Sequence, residues 1–170
     1  MHVEMLFIFI GLIVALVVGV SGSKKFDSKG DVQQVDYARK AAHETACAWG
    51  IVCGDGVVLA TRRCNKRPGI IRSLQEEPRS VHRIDADIGA ALIGIPSDQA
   101  LVVSFLQEIA RAHRAHFAQA IRCQDLADAL ASYLHDLTTS GDARPLAVHV
   151  LIGSGRAGVV YEVDPAGAMR

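Results

Sequence analysis

The stretch Phe26-Asp27-Ser28-Lys29-Gly30-Asp31-Val32-Gln33-Gln34-Val35-Asp36-Tyr37-Ala38 is the most informative part of the sequence. Apolar residues recur in it and just after it at spacings of three and four, at Val32, Val35, Ala38 and Ala42. This spacing predicts an amphipathic helix over residues 32–43. The apolar runs 47–52 and 57–61 follow, and the Gly54-Asp55-Gly56 turn between them favours a β-hairpin. The sequence therefore predicts a helix that leads directly into a hairpin.

The rest of the chain alternates between strands and helices in blocks. An apolar run predicts a strand over residues 88–93, and a long helix should begin near Pro96 with Ser97 as its cap. We expect its core face to carry Leu101, Phe105, Ile109, Ala112 and His116. A second helix, over residues 124–137, should bury Leu126, Leu130, Tyr133 and Leu137, and strands are expected at 147–152 and 159–163. This order favours a layered α/β sandwich.

Short motifs follow the opening stretch in a fixed order. They are Thr45–Ala60 as one hairpin, Val81-His82-Arg83-Ile84-Asp85-Ala86-Asp87-Ile88-Gly89, then Gly94 with Asp98, Arg144-Pro145-Leu146, and Asp164-Pro165-Ala166-Gly167. In this order they resemble the alpha-type subunits of the 20S proteasome over residues 26–170. The resemblance implies an α/β (α+β) fold, a four-layer αββα sandwich of the N-terminal-nucleophile hydrolase type. It also implies that the family's later strands and helices are truncated from the C-terminal side of this chain.

The resemblance carries functional expectations as well. It implies a non-catalytic structural subunit of the core alpha ring, acting in ubiquitin-dependent protein catabolism in the cytoplasm and nucleus. The implied partners are other alpha- and beta-type subunits, together with a regulatory particle or activators, and protein substrates would pass through the ring. Gate and ring contacts are expected at Gly30, Gln34 and Tyr37. Arg72 and Ser73 would lie at the pocket that receives the C-terminal carboxylates of activators.

The resemblance also bears on catalysis. In beta-type relatives the nucleophile is a threonine whose free amine acts as the base, assisted by an aspartate and a lysine. Counting along the shared hairpin puts these three positions at Ala46, Arg62 and Ser80. Thr45 is adjacent, but its nitrogen lies within the chain, whereas such a nucleophile needs a free α-amine. We therefore expect no catalytic residue.

Composition and other motifs point to no further chemistry. The net charge is zero, with 18 basic and 18 acidic residues, so no nucleic-acid partner is indicated. We expect no metal and no cofactor, and His113 and His116 are interpreted as part of a basic solvated helix face. Residues 153–158 fit a Gly-rich dinucleotide motif, but a strand follows where a helix is required, which indicates a hairpin turn. Asp85 and Asp87 on a predicted strand should point to opposite faces.

The first 25 residues form a separate hydrophobic segment. Residues 5–23 carry no charge, and their length fits a membrane anchor or a signal sequence, while an erroneous gene model is a third explanation. If the segment is an anchor, Lys24 and Lys25 should keep the domain at residues 26–170 in the cytosol. Two alternative functions stay open: a membrane-tethered, stand-alone protein that kept the fold, and an N-terminal-nucleophile hydrolase that would use Cys47 after processing.

Overall fold

The computed structural model describes residues 32–63, 79–139 and 143–170 of the 170-residue chain. Several predictions lie outside these described residues. They concern the hydrophobic segment at 1–25, the ring contact Gly30 and the pocket residues Arg72 and Ser73. In the described part of the chain, no helix is long and apolar enough to cross a membrane.

Three helices and six strands are described. In chain order they are α1 (Gln33–His43), β1 (Ala46–Cys53), β2 (Gly56–Arg63), β3 (Val81–Arg83), β4 (Ile88–Gly94), α2 (Pro96–Phe117), α3 (Cys123–Thr139), β5 (Val148–Ser154) and β6 (Val159–Val163). The predicted helix at 32–43 and the strands at 47–52, 57–61, 88–93, 147–152 and 159–163 are therefore confirmed, with ends that differ by one or two residues. α1 begins after Val32, which makes no side-chain cap.

The strands form two antiparallel sheets. β1 pairs with β2 through the hairpin, and the larger sheet has the order β3-β4-β5-β6. The β1–β2 sheet packs face to face on β4 and β5. Glycine permits this close approach, because a Cβ added at Gly153 of β5 would lie 2.8 Å from Val57 Cγ1 of β2.

The hydrophobic core lies between the larger sheet and the two long helices. Its fully buried members include Leu92 of β4, Leu106 of α2, Leu130 of α3 and Val150 of β5. α2 rests on β4 and on α3, and α3 rests on β5 and β6. The described residues thus supply a helical layer and two sheets, and they agree with the predicted α/β sandwich.

The predicted core face of α2 is wrong by about one position. The helix buries Val102, Val103, Leu106 and Ala110, whereas Leu101 is 55% exposed and Ala112 and His116 are also exposed. Both sets of residues recur at helical spacing, so the sequence alone fits either face. Packing against the side chains of the larger sheet determines which set is buried. Phe105 and Ile109 are partly buried at the margin, where Phe105 stacks on Tyr133 of α3 with ring centroids 4.3 Å apart.

The start of α2 also differs from the prediction. Ile95 occupies the cap position without a side-chain hydrogen bond, and Pro96 is in the first helical turn. Ser97 donates to the neighbouring Asp98 at 3.4 Å and does not cap the helix. In α3, Leu126, Leu130 and Leu134 are fully buried, and the predicted Tyr133 and Leu137 pack at the edge of the core.

Candidate functional site

α1 lies across the open end of the sandwich and touches both sheets. It buries Val35, Ala38 and Ala42, and it contacts β4 and β5 of the larger sheet and β1 of the smaller one. Its outer side carries Tyr37, which is 68% exposed. The helix therefore closes the end of the sandwich at which β1 begins.

An ion pair fastens the middle of α1 to the far end of the sequence. Arg39 donates from Nε and Nη2 to Oδ2 of Asp164, at 3.1 and 2.8 Å. Asp164 is buried, and it also accepts from the backbone nitrogens of Ala166 and Ala168. Burial alone would raise the pKa of Asp164, but the hydrogen bonds from Arg39 and the two backbone nitrogens outweigh it and lower this pKa.

Two histidines meet where α1 ends. The ring of His43 lies against the ring of His149 of β5, with centroids 4.4 Å apart. Nδ1 of His149 is 3.8 Å from a carboxylate oxygen of Glu162, and within the described residues its Nε2 is buried without a hydrogen-bond partner. Burial, and then the neighbouring His43, lower the pKa of His149. These side chains border a cavity of about 310 Å³ that extends to Cys47.

The position that the sequence resemblance assigns to a nucleophile carries only a methyl group. Ala46 opens β1 and is 5% exposed. Thr45 donates a hydrogen bond from its hydroxyl to the Ala42 carbonyl at 2.7 Å. Its nitrogen is part of a peptide bond and donates a second hydrogen bond to the same carbonyl. Arg62 is exposed on β2, and Ser80 is buried beside β4, with its carbonyl accepting from Leu92 at 2.7 Å. The three positions thus carry a methyl group, a guanidinium and a hydroxyl.

Two of the sequence motifs meet in space at the start of α2. Asp98 is fully buried, and Arg144 donates to both of its oxygens, at 2.6 and 2.8 Å. The nitrogen of Ala147 donates to Oδ2 at 2.9 Å. Burial would raise the pKa of Asp98, but these donors outweigh it and the pKa is lowered. The pair therefore joins α2 to the segment that enters β5.

Asp85 and Asp87 lie in the turn between β3 and β4, so their placement on a strand was wrong. They still serve different partners. Asp85 receives Arg114 of α2 at 2.6 and 2.7 Å. Asp87 accepts from the Ser154 hydroxyl at 2.7 Å and from the Arg156 nitrogen at 3.0 Å.

The Gly-rich motif at 153–158 is the turn between β5 and β6, as predicted. Gly158 has a φ of +62°, which glycine adopts without strain. Asp87 holds this turn from outside, through the Ser154 hydroxyl and the Arg156 nitrogen described above. The motif therefore serves the hairpin, and the element that follows it is β6, not a helix.

The structure describes two of the site residues that were predicted from sequence, and the other three lie outside its described residues. Gln34 and Tyr37 both lie on α1, half-buried and exposed respectively. Gly30, Arg72 and Ser73 lie outside the described residues. Sequence reasoning missed the contacts Arg39–Asp164 and His43–His149, although Asp164 belonged to a recognised motif. An aspartate that precedes a proline in a turn directly after a strand was the available signal.

Comparison with known proteins agrees with this architecture. A family model described as "Proteasome subunit" matches residues 42–170. The chain is 30% identical over 144 residues to "Proteasome subunit alpha 1" of Haloarcula marismortui, which covers 84% of this chain and 54% of that protein. It is 32% identical over 151 residues to "Proteasome subunit alpha" of Methanocaldococcus jannaschii, covering 85% of this chain and 55% of that one.

A third archaeal relative gives the same result. "Proteasome subunit alpha" of Archaeoglobus fulgidus is 31% identical over 145 residues, covering 85% of this chain and 58% of that protein. The chain thus spans about half the length of the curated relatives it matches. The family model covers most of the chain, and the named relatives are alpha subunits. The chain belongs to the proteasome subunit family, as a divergent member of its alpha type.

Proposed function

We propose that this chain is a non-catalytic, structural subunit of a proteasome core alpha ring. The observation that carries the proposal is α1, which closes the end of the sandwich over β1 and leaves a buried alanine where a nucleophile would stand. A helix in this position is a structural element, because it packs on β1, β4 and β5 beside a residue that offers no nucleophile. Its exposed side is then available for neighbouring subunits.

The surface of α1 supports a contact with another protein. Tyr37 is 68% exposed, so its ring does not pack within the described part of this chain. Exposed tyrosines are common at interfaces because the ring gives apolar area and the hydroxyl gives a polar handle. Gln34 lies one helical turn earlier on the same helix and is half-buried. We infer that Gln34 and Tyr37, with Gly30 ahead of them, face an adjacent alpha-type subunit.

The wider setting follows from the family. The partners inferred are alpha- and beta-type subunits, with activators or a regulatory particle at the ring face and Arg72 and Ser73 at the activator pocket. The inferred location is the cytoplasm and, where present, the nucleus, with a role in ubiquitin-dependent catabolism. These finer points rest on the family resemblance, and the relatives named above are archaeal proteins.

Assembly is tested with the tagged chain in its own cells. We expect the wild type to enter a large particle on native gels and native mass spectrometry to identify alpha- and beta-type subunits in it. Tyr37→Ala should lower incorporation into the particle while leaving the melting temperature of the chain unchanged. Tyr37→Phe should be incorporated as well as the wild type if the aromatic ring makes the contact. A wild type that enters no such particle would refute the proposal.

Catalytic inactivity has its own test. The isolated chain should not turn over fluorogenic peptides, because Ala46, Arg62 and Ser80 offer no nucleophile and base pair. Turnover that is blocked by a threonine-directed or thiol-directed covalent inhibitor would contradict this. In that case N-terminal sequencing would decide between Thr45 and Cys47 as the first residue, and the hydrolase alternative would replace the structural one.

A further inference from the structure

The last turn of α1 contacts β5 through two histidine side chains. His43, at the end of α1, is exposed, whereas the side chain of His149 of β5 is only 12% exposed. Their ring centroids lie 4.4 Å apart. Because β1 begins only three residues after His43, at Ala46, this contact also lies beside the junction between α1 and β1.

Several titratable groups surround the inner histidine. The cavity that His149 borders also includes the apolar Ile93 of β4. The titratable and charged groups near His149 within the described residues come from α1, from β1, and from β6 and the turn after it: Arg39, His43, Cys47, Glu162 and Asp164. Two of these groups, Glu162 and Asp164, could stabilise a charged imidazole, whereas Arg39 and a charged His43 would repel it.

The acidic groups near His149 give its ring little compensation for a charge. Asp164 accepts the two hydrogen bonds from Arg39. An oxygen of Glu162 lies 3.8 Å from Nδ1, beyond hydrogen-bond distance, and the Glu162 side chain is 41% exposed, so solvent screens its charge. Within the described residues, Nε2 has no hydrogen-bond partner. Burial, and then the neighbouring His43, therefore outweigh the carboxylates and lower the pKa of His149.

We propose that the contact between His43 and His149 is a pH-sensitive switch, which keeps the last turn of α1 on β5 at neutral pH and loosens it in mild acid. While both rings are neutral, they can pack against each other. A ring of His149 that has taken up a proton is poorly solvated and lies beside other cations, so it favours an arrangement in which the last turn has moved away and water enters.

The middle of α1 should not take part in this change. Burial would raise the pKa of Asp164, but the hydrogen bonds from Arg39 and from backbone nitrogens lower it, so the carboxylate stays charged in mild acid. The ion pair with Arg39 then persists, and Arg39 lies one helical turn before His43. The opening is therefore local, and it frees the turn between Arg39 and β1.

Amide hydrogen exchange of the full-length chain tests the switch, with rates corrected for the intrinsic effect of pH. The backbone nitrogens of Glu44 and Thr45 donate to the Lys40 and Ala42 carbonyls and report on the last turn. From about pH 6.5 to about pH 5.5, their protection should fall by up to about tenfold per pH unit, the slope for one proton taken up on opening. Amides of residues 36–39 should stay protected.

Low, non-denaturing concentrations of urea separate a local opening from unfolding of the whole chain. A local opening exposes little surface, so the exchange of residues 44 and 45 in mild acid should not change with urea. Exchange that rises with urea would show that acid acts on the whole fold, and this would overturn the proposal. Loss of protection at residues 36–39 to the same extent would overturn it as well.

Three variants identify the groups responsible. His149→Gln cannot titrate, so the protection of residues 44 and 45 should not depend on pH over this range. His43→Gln removes one neighbouring cation from an exposed position and should reduce the pH dependence, which gives a second test if His149→Gln does not fold. His116→Gln, an exposed position on α2, is the matched control and should respond as the wild type. A wild type without a pH response, or a response that His149→Gln or His43→Gln retains in full, would overturn the proposal.

Discussion

Single aspartates connect the elements of this molecule. Asp98 joins α2 to the entry of β5, Asp164 holds α1, Asp85 holds Arg114 of α2, and Asp87 holds the turn after β5. Each receives two or more hydrogen bonds. Asp98 and Asp164 are also buried, and a carboxylate out of water is tolerated only when donors satisfy it, so these two groups in particular specify one arrangement of their neighbours.

Loss of Arg144 should destabilise the fold through Asp98. Arg144→Met leaves a fully buried carboxylate with two fewer charged hydrogen bonds, and we expect a loss of about 2–3 kcal/mol in the free energy of unfolding at pH 7. Urea denaturation measures it. The control is Arg122→Met, which removes an exposed pair of similar length, 2.7 Å, with Asp125, and should leave the free energy of unfolding almost unchanged because solvent screens the pair.

This difference should depend on pH in a defined direction. The folded pKa of Asp98 is below its ordinary value of 3.8, so its contribution is present above that value and is lost as pH falls through the folded pKa. The wild type and Arg144→Met should therefore converge in stability well below pH 4. A gap that persists there would mean that packing of the Arg144 stem, not the charge, causes the loss.

His149 should make the protein sensitive to mild acid. Its folded pKa is below its ordinary value of 6.5, so the unfolded chain binds more protons between these two values. Stability is thus expected to fall as pH drops below about 6.5, down to the folded pKa, where His149 would be charged beside His43 and Arg39. Melting temperatures from pH 8 to pH 5 measure this. His149→Gln should flatten the profile, and an unchanged profile would contradict the assignment.

At the scale of elements, the end of α2 carries local strain. Ala118 has a φ of +53°, in the left-handed region that a side chain disfavours, and its nitrogen closes the helix on the Arg114 carbonyl. Ala118→Gly should therefore stabilise the fold by about 0.5 kcal/mol, the relief of strain exceeding the added freedom of the unfolded chain. Ala115→Gly, inside the same helix and exposed, should instead destabilise by about 0.5–1 kcal/mol, and thermal melting separates the two.

Local pattern predicted most of the elements. α1 and the β1–β2 hairpin followed from helical spacing and a Gly-Asp-Gly turn, and both are present close to the expected bounds. The core face of α2 was misassigned because Leu101 and Val102 begin two stripes with the same spacing. Periodicity shows that a helix has an apolar face, but the sheet on which the helix packs determines which residues of that face are buried.

The candidate site was less accessible to sequence reasoning. The motifs containing Asp98 and Arg144 were recognised separately, but their ion pair joins residues 46 positions apart, and only the tertiary fold brings them together. The same holds for His43 and His149, which lie on different elements. Spacing along the chain carries information about neighbours on one helix or strand, not about partners across a sandwich.

For the whole molecule, the two sheets can approach closely because glycine, which has no side chain, lies between them at Gly153. Gly153→Ala would put a Cβ 2.8 Å from Val57 Cγ1, and we expect a loss of about 1–3 kcal/mol in stability. Val57→Ala should remove the clash, so the double variant should be more stable than the sum of the single effects implies. Gly54→Ala meets nothing within 4 Å and serves as the control in urea denaturation.

The ion pair between Arg39 and Asp164 has a consequence for synthesis of the chain, because the two residues are 125 positions apart and are made at different times. A ribosome adds about 5–20 residues per second, so roughly 6–25 s separate the synthesis of the two partners. During that interval α1 has neither its ion pair nor the β5 surface beneath it, and Val35 and Ala38 face solvent. Among the described helices α1 is thus made first, yet it stays without its charged partner until residue 164 has been synthesised, and its apolar face is open to other protein surfaces for that time.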